Sequence, residues 1–221
     1  VIFANVKIVS FIKKHFELTA QLHGIDKLEQ IVVGKINILN VWREGVEISF
    51  GNNNENAGKY AIKSFVAATK ALKEGFIDAL VTAPINKSNI QSEEFKFPGH
   101  TDYLDQELDG NALMLMVQDT LRVGLITDHI PVNEVAKHLT EDLITKKIGV
   151  IHKTLSQDFS INKPKIAVLA LNPHDGDNGV IGNEDDKVLK PTIKKIFESG
   201  KLVFGPFPAD GFFGSGQYEK Y

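Results

Sequence analysis

The sequence contains no cysteine among its 221 residues. A chain without thiols cannot form disulfides, cysteine-ligated zinc sites or iron–sulfur clusters, and it has no thiol nucleophile. Any metal ion that it binds must be held by histidine, carboxylate, hydroxyl or substrate oxygen atoms.

The chain also lacks a long apolar run and a strong charge of either sign. No stretch approaches the roughly 18 consecutive apolar residues of a transmembrane helix, and the first residues do not resemble a signal peptide. The formal net charge is −3, which offers nucleic acid or an anionic membrane no electrostatic attraction. We therefore expect a cytoplasmic protein that binds neither nucleic acid nor membrane.

Apolar runs typical of strands alternate with segments of helical periodicity, which favours an α/β fold. The predicted strands span residues 1–4, 30–33, 36–39, 77–82, 112–117, 121–126 and 166–170. The predicted helices span residues 6–22, 56–74, 141–155 and 185–198. The polar residues 118–120 between two apolar runs predict a hairpin, and a hairpin among βα units indicates a mixed sheet.

The loop at residues 171–184 is the most informative segment. It places His174 just after the apolar run 166–170 and before the predicted helix 185–198, and its three glycines allow backbone to approach a ligand closely. The amides and the positive dipole end of that helix point toward the loop. Because ligands of α/β sheets bind at the carboxyl ends of strands, the pattern predicts a binding site here.

Two other histidines stand at similar junctions. His100 follows Gly99, and His129 lies in a short polar break within residues 126–131. Loop residues near Gly or Pro at strand ends are frequent binding residues. The four remaining histidines lie on helix-like or polar stretches and are interpreted as surface or packing residues: His15, His23, His138 and His152.

Five segments in order along the chain resemble the 4-hydroxythreonine-4-phosphate dehydrogenase family of vitamin B6 biosynthesis. They are residues 82–87, 98–102, 126–131, 171–184 and 205–210. The resemblance implies an isocitrate/isopropylmalate-dehydrogenase-like α/β fold, with a mixed sheet, helices on both faces and two lobes around a cleft. It also implies a homodimer with shared active sites. Residues 1–221 would be the central portion of one such enzyme, with an N-terminal segment and a C-terminal cofactor-binding part missing.

The resemblance assigns roles to four residues. His129 and His174 match ligands of a divalent metal (Zn, Mg, Co or Mn), and His100 and Thr101 match a substrate-contacting Gly-His-Thr triplet. The family's third metal histidine is expected in a Tyr-His-Asp-Gln-Gly segment after Tyr221. The alternative interpretation of the triplet is a turn in which Thr101 merely caps a helix.

Other polar residues of these segments have two interpretations each. Lys87 is either a cation for an anionic substrate or a solvated loop lysine, and Asp210 either orients substrate or is a turn aspartate. Asp175 and Asp177 are interpreted as ordinary loop acids, or as groups that support His174. The glycine spacing is not the G-x-G-x-x-G of a dinucleotide site, so NAD binding is implied by the resemblance alone.

The implied reaction is the NAD-dependent oxidation of 4-phosphooxy-L-threonine, a small phosphorylated hydroxy-amino acid. The product then loses CO₂ to give 3-amino-2-oxopropyl phosphate. Two alternatives stay open: a paralogous dehydrogenase of a dihydrodiol or phosphorylated sugar acid, and an acyl transferase related to phosphate acetyltransferase. We expect the 221-residue chain by itself to be inactive.

Overall fold

The computed structural model describes residues 1–52, 54–93 and 95–221. It divides into two compact units, Val1–Ala112 and Leu113–Tyr221. Both units combine helices with strands, and parallel and antiparallel strand pairs both occur, so the fold is mixed α/β. Among the described residues, no helix combines the length and the apolar character needed to cross a bilayer.

The described part of the first unit contains three strands and three α-helices. These are, in chain order, β1 (Ile2–Ala4), α1 (Val6–His15), β2 (Leu22–Ile25), β3 (Ile36–Asn40), α2 (Glu55–Lys73) and α3 (His100–Glu107). The strands form a parallel sheet in the order β1–β3–β2, with Ile2 opposite Ile38 and Leu22 opposite Ile36. Parallel strands of one sheet need a crossover connection, and α1 lies in the connection between β1 and β2.

Buried side chains of α2 hold this unit together. Ala68 packs with Phe3 of β1, and Phe65 packs with Tyr103 of α3. Burying such aromatic rings contributes most of the stabilisation of a small core. The same contacts place the beginning of α3, which carries His100, against α2.

The second unit, which is described throughout, contains four strands and four α-helices. These are, in chain order, β4 (Leu115–Gln118), β5 (Leu121–Gly124), α4 (Val135–His138), α5 (Glu141–Gln157), β6 (Lys165–Leu169), α6 (Lys190–Glu198), β7 (Leu202–Phe207) and α7 (Ala209–Gly214). β4 and β5 form an antiparallel hairpin, whereas β6 and β7 pair in parallel. A π-helical turn, Asp185–Leu189, precedes α6.

The core of the second unit joins α5 and α6 to the β6–β7 pair. Its ten buried apolar residues are Leu139, Ile144, Ile148, Leu155, Ile166, Val168, Leu189, Ile193, Ile196 and Val203. Removing this much apolar surface from water stabilises the unit and leaves β6 little freedom to shift. The core therefore determines where β6 ends and where the following loop begins.

Two predicted elements near the N-terminus differ from the structure. The first helix ends at His15 rather than near residue 22, because β2 takes up Leu22–Ile25. The predicted strand at 30–33 is wrong. The side chain of Asn37 accepts a hydrogen bond from the backbone N–H of Val32 (2.9 Å) and donates to its carbonyl oxygen (2.9 Å). Those backbone groups are then unavailable to a neighbouring strand.

The predicted strand at 77–82 is also wrong, since these residues pair with no strand in the described part of the chain. Val81 is 95% exposed. An apolar run becomes a strand when a neighbouring sheet edge accepts its backbone hydrogen bonds, and local sequence cannot supply that edge. For the same reason the described strands form separate sheets of three, two and two strands instead of the predicted mixed sheet.

Candidate functional site

The loop that carries His174 begins directly after β6. Its first two residues are held by Asp185, whose carboxylate accepts hydrogen bonds from the backbone N–H groups of Leu171 (2.7 Å) and Asn172 (3.0 Å). Asp185 is 0% exposed. Because a buried carboxylate is costly unless it is hydrogen-bonded, these bonds tie the strand end to the helix that follows.

The next residues form a left-handed turn. The φ angles of His174, Asp175, Asp177 and Asn178 lie between 46° and 58°, and that of Gly176 is 79°. Each non-glycine residue in this conformation costs about 1–2 kcal/mol, and such strain is characteristic of sites that fix the direction of a side chain. Tertiary contacts must therefore impose the turn against local preference.

Two glycines of the loop are required by close packing. A Cβ atom on Gly176 would lie 2.5 Å from the carbonyl oxygen of Gly182, and one on Gly182 would lie 2.6 Å from Nδ2 of Asn172. Both distances are far shorter than van der Waals contact. The prediction that the glycines admit a ligand needs correction at these positions, because the nearest atoms belong to the loop itself.

Asp175 is linked to α6. Its Oδ2 lies 2.7 Å from Nζ of Lys190, which also lies 2.6 Å from Oδ1 of Asp186. The two carboxylates, Asp175 first, raise the pKa of Lys190. Oδ1 of Asp175 is buried and has no hydrogen-bond partner among the described residues. Asp175 thus anchors the left-handed turn.

His174 projects from the turn toward Asp210. The distance from Nδ1 of His174 to Oδ2 of Asp210 is 4.0 Å, and the side chains are 68% and 71% exposed. Asp210 lies in the first turn of α7. The structure therefore brings together two of the segments that the sequence singled out, in a position open to a ligand.

His129, like His174, has a positive φ angle, of 50°. Its neighbour Asp128 lies 3.9 Å from Nζ of Lys147 on α5, and these two side chains are 29% and 13% exposed. The ion pair connects the His129 loop to α5. The interaction is partly protected from water, which strengthens it relative to a surface pair.

The imidazole nitrogens of His129 and His174 are of a kind that binds zinc in proteins. Across residues 1–52, 54–93 and 95–221, however, no three His, Asp or Glu side chains form a group able to hold a metal ion. The described residues by themselves therefore complete no metal site.

His100 and Thr101 form the first turn of α3. The N-cap residue is Gly99, so the alternative that Thr101 caps the helix is wrong. The ring of His100 packs edge-on against Phe65, with ring centroids 4.7 Å apart, and burial lowers the pKa of His100. The imidazole is thus a neutral hydrogen-bonding group near neutral pH.

Lys87 lies beside this turn. A Cβ atom on Gly99 would be 3.9 Å from Cε of Lys87, whose side chain is exposed. The first unit thus places a cation, an imidazole and the Thr101 hydroxyl in one neighbourhood, a set of groups suited to an anionic, hydroxylated ligand.

Asp185 and Lys190 were not predicted to belong to the site. Each contacts the His174 loop through tertiary structure: Asp185 at the strand end, and Lys190 at Asp175. In the sequence, both lie in a charged stretch that is typical of a solvated helix start. A fully buried aspartate there could not be distinguished from its exposed neighbour Asp186.

The family described as pyridoxal phosphate biosynthetic protein PdxA matches residues 1–221. The chain belongs to this family. The resemblance predicted from five segments is therefore confirmed, and PdxA membership explains why those segments occur in this order.

A 4-hydroxythreonine-4-phosphate dehydrogenase of Bacteroides thetaiotaomicron is 40% identical to this PdxA chain over 223 residues, covering 100% of the chain and 61% of the relative. That of Sulfurihydrogenibium sp. is 34% identical over 215 residues, covering 96% and 66%. A crystal structure of the enzyme of that name from Klebsiella pneumoniae has a TM-score of 0.83 at 27% identity, covering 99% and 66%. The chain spans less than two thirds of the length of these proteins.

Proposed function

We propose that the whole protein is an NAD-dependent 4-hydroxythreonine-4-phosphate dehydrogenase of pyridoxal phosphate biosynthesis. The family match over residues 1–221 carries this proposal. Relatives with that name at 40% and 34% identity support it. The same match gives no support to the acyl-transferase alternative.

The proposed reaction has two steps on 4-phosphooxy-L-threonine. First, the C3–H bond breaks, hydride passes to NAD⁺ and the hydroxyl proton leaves, which gives a β-keto acid. Second, the bond to the carboxylate breaks, CO₂ departs, and protonation of the remaining carbon gives 3-amino-2-oxopropyl phosphate. A divalent metal, when bound, supplies Lewis acidity for both steps, and the protein orients the nicotinamide.

His129 and His174 are the proposed metal ligands from this chain. Both histidines lie on loops that follow strands, and both have positive φ angles, of 50° and 52°. Oδ2 of Asp210 lies 4.0 Å from Nδ1 of His174, so Nδ1 faces this carboxylate and Nε2 is the proposed donor atom. Because the described residues form no group of three donors, we expect a further ligand from outside this chain.

His100 and Thr101 are the proposed substrate-binding residues. The neutral imidazole and the hydroxyl lie at the start of α3, where helix amides favour anionic groups, and Lys87 adds a positive charge nearby. This set suits a phosphorylated hydroxy-amino acid. For the whole protein we further propose the two-lobed isocitrate/isopropylmalate-dehydrogenase-like fold, a homodimer with shared active sites, and a cytoplasmic location.

A direct assay tests the proposal. The full-length protein should reduce NAD⁺ when 4-phosphooxy-L-threonine and a divalent cation are present, and a chelator should abolish the activity. L-Threonine, which lacks the phosphate, is the matched control and should react far more slowly. Absence of NADH formation with every candidate cation, although the protein is folded, would contradict the proposed function.

The His100→Ala variant of the full-length protein tests the substrate role. We expect kcat/KM to fall by roughly tenfold to a hundredfold, because a positioned hydrogen-bonding group is lost. The melting temperature should change little by comparison, since His100 lies at the edge of the core. A variant with normal kinetics would show that the triplet is merely a turn.

A further inference from the structure

Asp185 is a buried acid that the proposed reaction does not use. It is the first residue of the π-helical turn before α6 and is 0% exposed. Its carboxylate accepts three hydrogen bonds: Oδ1 from the N–H of Leu171 (2.7 Å), and Oδ2 from the N–H (3.0 Å) and Nδ2 (2.9 Å) of Asn172. All three donors belong to Leu171 and Asn172, the first two residues of the His174 loop.

This arrangement couples a carboxylate to the position of a strand end. Hydrogen bonds to a charged acceptor are stronger than those between neutral groups, and they offset the cost of burying the charge. If the strand end moved, Asp185 would lose its donors in a site without access to water. The strand end is therefore held more firmly than the pairing of β6 with β7 alone would hold it.

Further contacts anchor the rest of the loop to the same helix start. Nδ2 of Asn172 also donates to Oε2 of Glu184 (2.9 Å), and Lys190 pairs with Asp175 at 2.7 Å. His174 lies between these anchors, in a left-handed conformation that its own sequence does not favour. π-Helical turns often occur at functional sites, and this one places Asp185 under the strand end.

We infer that Asp185 is a positioning residue: by holding Leu171 and Asn172 it directs the His174 side chain into the site. Asp185 itself contacts neither substrate nor metal and acts through the backbone. The inference rests on the proposed role of His174, and it adds a residue that the family resemblance did not assign.

The test compares two variants of the full-length protein. Asp185→Asn keeps the shape but presents an NH₂ group to N–H donors, so one of the three bonds must be lost. Ile193→Ala, which leaves a cavity in the same core on α6, is the control that destabilises the unit and keeps all three hydrogen bonds of Asp185. Both should melt earlier, but we expect kcat to fall roughly tenfold to a hundredfold in Asp185→Asn alone, with a smaller change in KM.

Two further measurements, hydrogen exchange and NMR, do not depend on enzyme turnover. In Asp185→Asn, hydrogen exchange at the amides of Leu171 and Asn172 should accelerate more than exchange at Val168 in the middle of β6. In Ile193→Ala, exchange at all three amides should accelerate to a similar extent. The NMR signal of the His174 ring should shift in Asp185→Asn and stay in place in Ile193→Ala.

Each outcome decides the inference. The inference would be overturned if the amides of Leu171 and Asn172 lose protection in Asp185→Asn while kcat stays normal and the His174 signal does not shift. Equal losses of kcat in Asp185→Asn and Ile193→Ala would also overturn it. If Asp185→Asn does not fold, Asn172→Ala removes the side-chain donor and keeps the backbone bonds; it should lower kcat severalfold, and an unchanged kcat would contradict the inference. If the wild-type protein is not a dehydrogenase, the exchange rates and the His174 signal still give the answer.

Discussion

His100 shows how packing alters the chemistry of one side chain. Its ring lies edge-on to Phe65, and partial burial lowers its pKa below the ordinary value of 6.5. Burial disfavours the charged imidazolium, so the folded protein binds the proton less readily than the unfolded chain does. The structure thus predicts a pH dependence of stability that can be assigned to one residue.

The His100→Gln variant measures that dependence. In the wild type, His100 of the unfolded state becomes protonated first as the pH falls through 6.5, because its pKa is lower in the folded protein. The free energy of unfolding therefore decreases as the pH falls below 6.5, and this decrease stops below the folded-state pKa of His100. Replacing the imidazole removes this contribution. Denaturant titrations from pH 8 to pH 5 should therefore show a shallower loss of stability in His100→Gln. Parallel curves would contradict the burial of the ring.

Glycines 182 and 149 respond oppositely to the same substitution. Gly182→Ala should destabilise the second unit by about 1–3 kcal/mol, because the new Cβ would lie 2.6 Å from Nδ2 of Asn172. Gly149→Ala is the matched control: it lies within α5, and a Cβ there meets no atom within 4 Å. Alanine favours a helix interior by about 0.5–1 kcal/mol over glycine, so this variant should be more stable. Urea denaturation distinguishes the two signs.

At the scale of elements, α5 illustrates a helix whose beginning is encoded locally. Thr140 is its N-cap, and the side-chain oxygen accepts a hydrogen bond from the N–H of Leu143 (3.2 Å). Glu141 and Asp142 follow in the first turn, where their negative charges interact favourably with the positive end of the helix dipole. Both features are visible in the sequence, and the predicted start of this helix is confirmed.

Thr140→Ala should therefore destabilise the protein by about 1 kcal/mol, since the cap hydrogen bond is lost. Thr145→Ala is the control, because Thr145 is an exposed residue inside the same helix. Alanine is the better helix former there, so its effect should be neutral or stabilising by a few tenths of a kcal/mol. Equal losses in both variants, measured by thermal unfolding, would show that the cap contributes nothing specific.

At the scale of the whole molecule, the second unit has an apolar cavity of about 550 Å³. Residues of β5 and β6 line it, together with Phe212, Tyr218 and Tyr221. Within this fully described unit, β5 pairs with β4 alone and β6 with β7 alone, so each has an unpaired edge. Open strand edges beside apolar surface promote association.

We therefore expect the 221-residue chain to bind a hydrophobic dye and to associate in solution more than the full-length protein does. Light scattering after size-exclusion chromatography compares the two at equal concentration. Raising the ionic strength should not reverse the association of the 221-residue chain, because the attraction is apolar rather than electrostatic. If the 221-residue chain binds no dye and is monodisperse, this expectation is contradicted.

The short chain should also lack dehydrogenase activity. Its described residues form no group of three metal donors, and two imidazoles bind a metal weakly and without defined geometry. The short and full-length proteins should be assayed together with NAD⁺ and a divalent cation. Equal turnover in both would overturn the proposed site, since the chemistry would then need nothing beyond Tyr221.

The sequence by itself determined features that depend on neighbours along the chain. Helical periodicity predicted α2, α5 and α6, and the polar residues 118–120 predicted the β4–β5 hairpin. The order of five short segments was enough for the family. Such signals are local, because helix hydrogen bonds, caps and tight turns join residues a few positions apart.

The tertiary structure decided whatever depends on distant partners. The residues predicted as a strand at 77–82 pair with no strand in the described part of the chain, and the backbone of Val32 bonds to Asn37 instead of to a strand. The left-handed turn at His174 exists because Asp185 and Lys190 hold the loop from the next helix. These contacts join residues that are distant in the sequence, so their burial and their conformational cost depend on the folded chain and cannot be predicted from local sequence patterns.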